Sequence, residues 1–90
     1  MKKYIIERDL PGAGNLSEQE LNEISRTSCD TIDDMEKPYH WLETFVTADK
    51  LYCVHIANDS NVIEEHSKKA GFPIKSIQEV VDIIDPTKSS

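Results

Sequence analysis

Two β-rich segments lie next to each other in the middle of this 90-residue chain, and a helical segment lies on either side of them. Residues 39–47, YHWLETFVT, and residues 51–57, LYCVHIA, are rich in aromatic and β-branched side chains and are separated by a short turn. This pattern predicts an antiparallel hairpin. The hairpin therefore occupies the centre of the predicted order of elements.

The segment before the hairpin has a specific helix start. Ser17 is followed three residues later by Glu20, which is the spacing of a capping box, and Leu16 and Leu21 occupy the positions of a hydrophobic staple. Apolar residues then recur at helical spacing as far as Met35. The sequence therefore predicts a long first helix with one apolar stripe.

The remaining segments complete the order. Residues 2–8 form a short β-rich run, and residues 58–60 offer N-cap side chains for a second helix. Gly71 followed by Pro73 predicts the end of that helix. Residues 76–84, SIQEVVDII, predict the last strand.

The predicted order β-α-β-β-α-β is typical of one fold class. It is the ferredoxin-like arrangement of the α+β class, a four-stranded antiparallel sheet with both helices on one face. We expect a single domain over residues 1–90. Because the second sheet face is then uncovered, we also expect two chains to pack sheet to sheet as a homodimer.

Composition excludes several classes of partner. The net charge of −7 argues against nucleic-acid binding, which needs a basic face. No apolar run approaches the roughly 20 residues of a membrane span, and the N-terminus has no signal-peptide pattern. Cys29 and Cys53 are the only cysteines and form no CxxC motif, so we expect two reduced, buried thiols in a cytoplasmic protein.

Strand alternation predicts a group of candidate metal ligands. We expect the helix-facing side of the sheet to be aliphatic and the other side to bring together Glu7, Glu43, Cys53 and His55. Imidazole and thiolate suit zinc, nickel or copper, and the two glutamates are candidate further ligands. The alternative is a half-exposed histidine beside a buried thiol.

The stretch EEHSKKAGFP, residues 64–73, contains a third candidate histidine. Its glutamates and lysines are spaced as i, i+4 pairs, which is typical of a solvated helix face. His66 instead falls on or beside the apolar stripe. It is therefore either a hydrogen-bonded buried histidine or a metal ligand.

An organic ligand is a second hypothesis. Trp41, Phe45 and Tyr4 are candidates to line a pocket, with Glu7 or Glu43 as a base for oxygenation or isomerisation. An interaction-only dimer is a third hypothesis.

Several stretches together resemble one family. YIIERDLPGAG, LSEQEL, HWLETFVTADKLYCV, EEHSKKAGFP and IIDP are similar to the DUF4242 family over about residues 3–87. Some of these small proteins are described as nickel-binding. The resemblance implies a ferredoxin-like fold, a dimeric α+β barrel and a metal-binding role, with nickel first and zinc second.

The resemblance also implies particular site residues. Histidine is frequent in the family where this chain has Glu43, and the second helix matches at Glu65 and His66. Nickel-binding members are richer in histidine at places that here hold Glu7, Phe72 and Gln78, which should weaken or change the metal site. We therefore expect a metal-binding protein more than an enzyme. The candidate metal ligands are His66, Glu43, His55, Glu7, Cys53 and Glu65.

Overall fold

The chain forms a four-stranded sheet covered on one face by two helices, in a computed structural model that describes residues 1–88. The helices and strands are β1 (Lys2–Asp9), α1 (Glu18–Met35), β2 (Tyr39–Val46), β3 (Lys50–Ala57), α2 (Ser60–Ala70) and β4 (Ser76–Val80). The strand order is β2-β3-β1-β4, and each neighbouring pair is antiparallel. The predicted ferredoxin-like α+β fold is confirmed. None of the helices in residues 1–88 is long and apolar enough to cross a membrane.

Local side-chain contacts fix the helix ends. Ser17 Oγ accepts from the Glu20 backbone N–H at 3.1 Å, and Glu20 Oε1 accepts from the Ser17 backbone N–H at 3.1 Å, so the capping box is present. Asp59 caps α2 by accepting from the Val62 N–H at 3.2 Å. Gly71 ends α2 with φ 78°, a conformation that glycine adopts without strain. The predicted ends are therefore confirmed.

The last strand is shorter than predicted. Residues 76–84 were expected as a strand, whereas β4 ends at Val80. Its neighbour β1 begins at Lys2, and the pairing ends with Lys3 opposite Val80. In this register only Val81, opposite Lys2, could extend the pairing with β1, and Val81 is instead 87% exposed.

The apolar core lies between the sheet and the two helices. Its buried members are Tyr4, Ile6, Ala13, Met35, Tyr39, Leu51, Cys53, Ala57 and Ile63. The expected burial of Cys53 is confirmed. The same expectation is wrong for Cys29, which is exposed on α1.

The polar residues of β3 face the helices, contrary to the predicted aliphatic face. Cross-strand partners share a face, and Cys53 lies opposite Ile6 while His55 lies opposite Tyr4. Ile6 and Tyr4 belong to the core, so Cys53 and His55 are buried with them. On this face Cys53 accepts a hydrogen bond from Arg8 of β1, which in turn donates to Ser67 of α2.

The two glutamates lie on the opposite, uncovered face. Glu7 is paired with Tyr52 of β3, and Glu43 is paired with Val54. A β-bulge between Trp41 and Glu43 interrupts the simple alternation of β2. The predicted grouping of Glu7, Glu43, Cys53 and His55 on one face is therefore wrong.

Candidate functional site

A cavity of about 140 Å³ lies between α1 and the sheet. Its inner wall contains five buried side chains that carry polar groups, Arg8, Ser28, Cys53, His55 and His66. Its remaining wall includes residues of α1 and β2 that are partly or largely exposed, so the cavity opens to solvent between these elements. These mouth residues are Leu21, Ile24, Ser25, Trp41, Thr44 and Val46.

The periodicity of three elements brings the inner wall together. Arg8 follows Tyr4 and Ile6 at strand spacing, so it shares their covered face. Ser28 is a buried polar member of the apolar stripe of α1. On α2, His66 lies three residues after the buried Ile63 and points to the same side.

Arg8 is the charged group of the inner wall, and sequence reasoning missed it. Its Nη1 donates to Ser67 Oγ and to the Pro73 carbonyl oxygen, both at 2.9 Å. Its Nε donates to Cys53 Sγ at 3.4 Å, and its guanidinium carbon lies 5.5 Å from the centre of the Phe72 ring. Its Nη2 is buried without a hydrogen-bond partner among residues 1–88.

His66 joins α2 to α1. Its Nε2 lies 3.2 Å from Ser28 Oγ and 3.4 Å from the Ser28 carbonyl oxygen. A carbonyl oxygen only accepts, so a proton on Nε2 satisfies this contact and leaves Nδ1 as an acceptor. Within the described chain Nδ1 is buried without a partner. The hydrogen-bonded, buried form of His66 is therefore present, and its role as a ligand stays a prediction.

His55 lies beside His66 and Tyr39 in a cluster of rings. The ring centres of His55 and His66 are 5.5 Å apart, and each lies 5.1 Å from the ring centre of Tyr39. His55 is only 1% exposed, so the alternative of a half-exposed histidine is wrong, while its role as a metal ligand stays a prediction. Its Nδ1 is another buried nitrogen without a partner in residues 1–88.

Burial and positive charge keep both imidazoles neutral. Burial, followed by the charges of His66 and Arg8, lowers the pKa of His55 to about 3. Burial also lowers the pKa of His66, and Arg8 adds to this, while the bond to Ser28 opposes it. Burial raises the pKa of Tyr39. The cluster is therefore a neutral aromatic group beside one permanent cation.

The carboxylates predicted as metal ligands are directed elsewhere. Glu7 pairs with Lys50 and lies 3.7 Å from Lys75, and the hydrogen bond from Lys50 is the main cause of its lowered pKa. Glu65 on α2 pairs with Lys37 and Lys69.

Glu43 is exposed on the uncovered face. Neither Glu7 nor Glu43 shares a face with the cavity, and their predicted role as bases stays a prediction.

The candidate ligand-pocket residues are also separated. Trp41 lines the mouth of the cavity, and its Nε1 donates to Thr44 Oγ1 at 2.9 Å. Tyr4 is a core residue that is not among the lining residues. Phe45 is 56% exposed on the uncovered face.

The donor set of the cavity tests whether nickel fits. Nickel takes several imidazole, thiolate or carboxylate donors, yet residues 1–88 contain no group of three or more such side chains placed to hold a metal ion. Cys53 Sγ accepts from Arg8, whose positive charge also repels a dication. The described residues of one chain therefore do not fit a complete nickel site. The predicted ligand roles stay predictions.

Comparison with known proteins identifies a family and a fold. A family model described as nickel responsive protein SCO4226-like matches residues 4–80. The crystal structure of SCO4226 from Streptomyces coelicolor A3(2) is similar with a TM-score of 0.77 and 13% identity, covering 91% of this chain and 99% of that chain. At this identity the likeness shows the fold. No curated protein matches the chain. The resemblance to nickel-binding proteins is thus confirmed as far as a nickel-responsive family, and the name DUF4242 stays a prediction.

Proposed function

The chain belongs to the family of SCO4226-like nickel-responsive proteins, and on that premise we propose that it is a binding protein whose ligand lies in the core cavity. We infer that this ligand is a small organic molecule. The observation that supports this most directly is a solvent-connected cavity that ends in buried polar groups without partners. In native proteins most buried polar groups are paired, so such a group at the end of a cavity favours a ligand.

The size of the cavity fits a small organic body. Its volume is about 140 Å³, and a cavity of roughly 150 Å³ in another protein admits benzene. The mouth offers Leu21, Ile24 and Val46 as apolar contacts, and Trp41 adds an aromatic wall. We therefore propose a ligand of about benzene size with an apolar surface.

Fluorescence provides the first test, because Trp41 is the only tryptophan and lies at the mouth. We expect small organic molecules to change the Trp41 emission saturably. Ser25→Phe should abolish this change by filling the cavity, whereas Asn22→Phe, on an exposed position of the same helix, should preserve it. An equal response of the two variants would contradict the proposal.

A divalent transition metal is the second candidate ligand, nickel before zinc. The first observation in its favour is the description of the family as nickel responsive. The second is the arrangement of His66, whose Nε2 contacts the Ser28 carbonyl while its Nδ1 has no hydrogen-bond partner in residues 1–88 and could bind a metal ion. Water or a second chain must then supply further donors. In this form the protein is a small metal-responsive protein.

Calorimetric titration of the chelator-stripped protein with nickel and with zinc tests the metal candidate. If the cavity imidazoles are the donors, His66→Ala should lose binding and His40→Ala, which removes an exposed histidine, should keep it. Affinity should be weaker than at a complete site because two imidazoles supply only part of a coordination shell. Equal binding by both variants would exclude His66.

A cytoplasmic homodimer is the proposed state. The uncovered sheet face presents Ile5 at 40% and Phe45 at 56% exposure, next to the half-buried Val54 and Ile56. Pairing two such faces would remove apolar surface from water. We expect light scattering to give twice the chain mass, and Phe45→Glu to give the monomer. A monomeric wild type would contradict this assignment.

A further inference from the structure

Arg8 is a buried cation without a counter-charge. Its exposed fraction is 1%, and no carboxylate of residues 1–88 forms an ion pair with it. Its partners are a hydroxyl, a carbonyl and a thiol. A guanidinium stays protonated in proteins, so a positive charge is permanently present at the inner end of the cavity.

An unpaired buried charge needs compensation. Removing a charge from water costs more free energy than bonds to neutral groups return. The neighbouring imidazoles of His55 and His66 contribute no negative charge. One guanidinium nitrogen, Nη2, also has no acceptor within the described chain. An anion in the cavity would provide both the acceptor and the counter-charge.

The walls restrict which anion fits. Beyond its polar inner wall the cavity is lined by apolar side chains, among them Leu21 and Ile24 at the mouth and Leu51, and by the ring of Phe72. Such walls favour an apolar body over a small inorganic oxyanion, which would leave most of its oxygens without donors. The position of Arg8 at the inner end requires the charged group to enter first.

We propose that the cavity binds a small monocarboxylate with a branched-alkyl or aryl body, its carboxylate paired with Arg8 and its body directed toward Trp41. This inference rests on the proposed function and specifies the chemical class of the ligand. A hydrogen bond between a guanidinium and a carboxylate joins two opposite charges and is stronger than one between neutral groups. Here Nη2 is the donor that remains free within residues 1–88.

A pair of isosteric probes tests the charge directly. Isovalerate and isovaleramide share one shape and differ in charge, and neither absorbs where Trp41 is excited. We expect isovalerate to bind the full chain roughly 10–100-fold more tightly than isovaleramide, the range that charged hydrogen bonds add. Binding is followed by Trp41 emission and by calorimetry near neutral pH, with protein freed of metal on a chelating resin.

Variants of two arginines complete the test. Arg8→Met should reduce isovalerate affinity to that of the amide, whereas Arg26→Met, which removes an exposed arginine from α1, should leave it unchanged. Equal affinities of acid and amide in the wild type would overturn the carboxylate assignment and leave an organic ligand in place. Binding of inorganic phosphate in preference to isovalerate would overturn the apolar body. Absence of binding by both organic probes would overturn the inference and the proposed function together.

Discussion

Lowering the pH from about 7 to about 5 is expected to reduce the free energy of unfolding by about 2 kcal/mol through His55 alone. Burial, then the charges of His66 and Arg8, lowers the pKa of this histidine in the folded protein to about 3. In the unfolded chain its pKa returns to about 6.5. His66, whose pKa is also lowered on folding, adds to the loss.

The sign follows from the proton count. Below about pH 6.5 the unfolded chain binds a proton at His55 that the folded protein does not bind, so acid favours unfolding. The stabilisation is complete above that pH and is lost progressively as the pH falls toward 3. Carboxylates with lowered pKa values, such as Glu7 and Glu65, act in the same direction only near and below their ordinary value of 4.5. The range from about pH 7 to 5 therefore isolates the histidines.

Urea unfolding at several pH values, followed by circular dichroism, measures this effect. His55→Gln should flatten the pH dependence, and combining it with His66→Gln should nearly remove it above pH 5. The matched control is His40→Gln, because His40 is exposed on β2. A slope that persists in the double variant would show that other groups take up the protons.

Local signals in the sequence were sufficient for the elements of this fold. The capping box at Ser17, the αL glycine at Gly71 and the β-rich runs define elements through contacts within a few residues. The last strand was overestimated because its end depends on where β1 begins, which is a pairing between distant segments. The local sequence therefore identifies each helix or strand, but it does not determine how long a strand is.

The positions of the site residues were harder to predict. The β-bulge adds one residue to β2 between Trp41 and Glu43, so the side chain of Glu43 lies on the face opposite Trp41 although simple alternation places both on one face. Arg8 was missed although its spacing from Tyr4 and Ile6 is a usable signal. Charged residues are seldom buried. The residue type therefore predicts that an arginine in a strand faces solvent, whereas Arg8 faces the core. Its partners Ser67 and the Pro73 carbonyl come from distant segments, and no local pattern indicates them.

Arg8→Met is expected to increase the free energy of unfolding of the ligand-free protein by about 1–3 kcal/mol. The wild-type guanidinium loses its hydration on folding, at an effective cost of several kcal/mol. Its hydrogen bonds to Ser67 and the Pro73 carbonyl return about 1.5 kcal/mol each, the lower end for a charged donor, and the contact to the weak acceptor Cys53 returns less. Methionine removes the charge, keeps much of the volume and places a thioether beside Phe72.

The comparison with Arg8→Ala separates charge from packing. Alanine also removes the charge but enlarges the cavity, and the loss of packed methylene groups costs about 2–5 kcal/mol for large side chains in a core. We therefore expect Arg8→Met to be the most stable protein, the wild type to be intermediate and Arg8→Ala to be the least stable. Arg26→Met, at an exposed site, should change stability by no more than about 0.5 kcal/mol.

Urea unfolding of the three proteins, with and without isovalerate, distinguishes a structural arginine from a binding one. If Arg8 serves mainly to stabilise the fold, Arg8→Met should be less stable than the wild type in both conditions. If Arg8 is retained for an anion, the wild type should gain stability with rising isovalerate concentration while Arg8→Met does not. A buried charge that lowers the stability of the free protein and raises that of the complex is the expected cost of a preformed anion site.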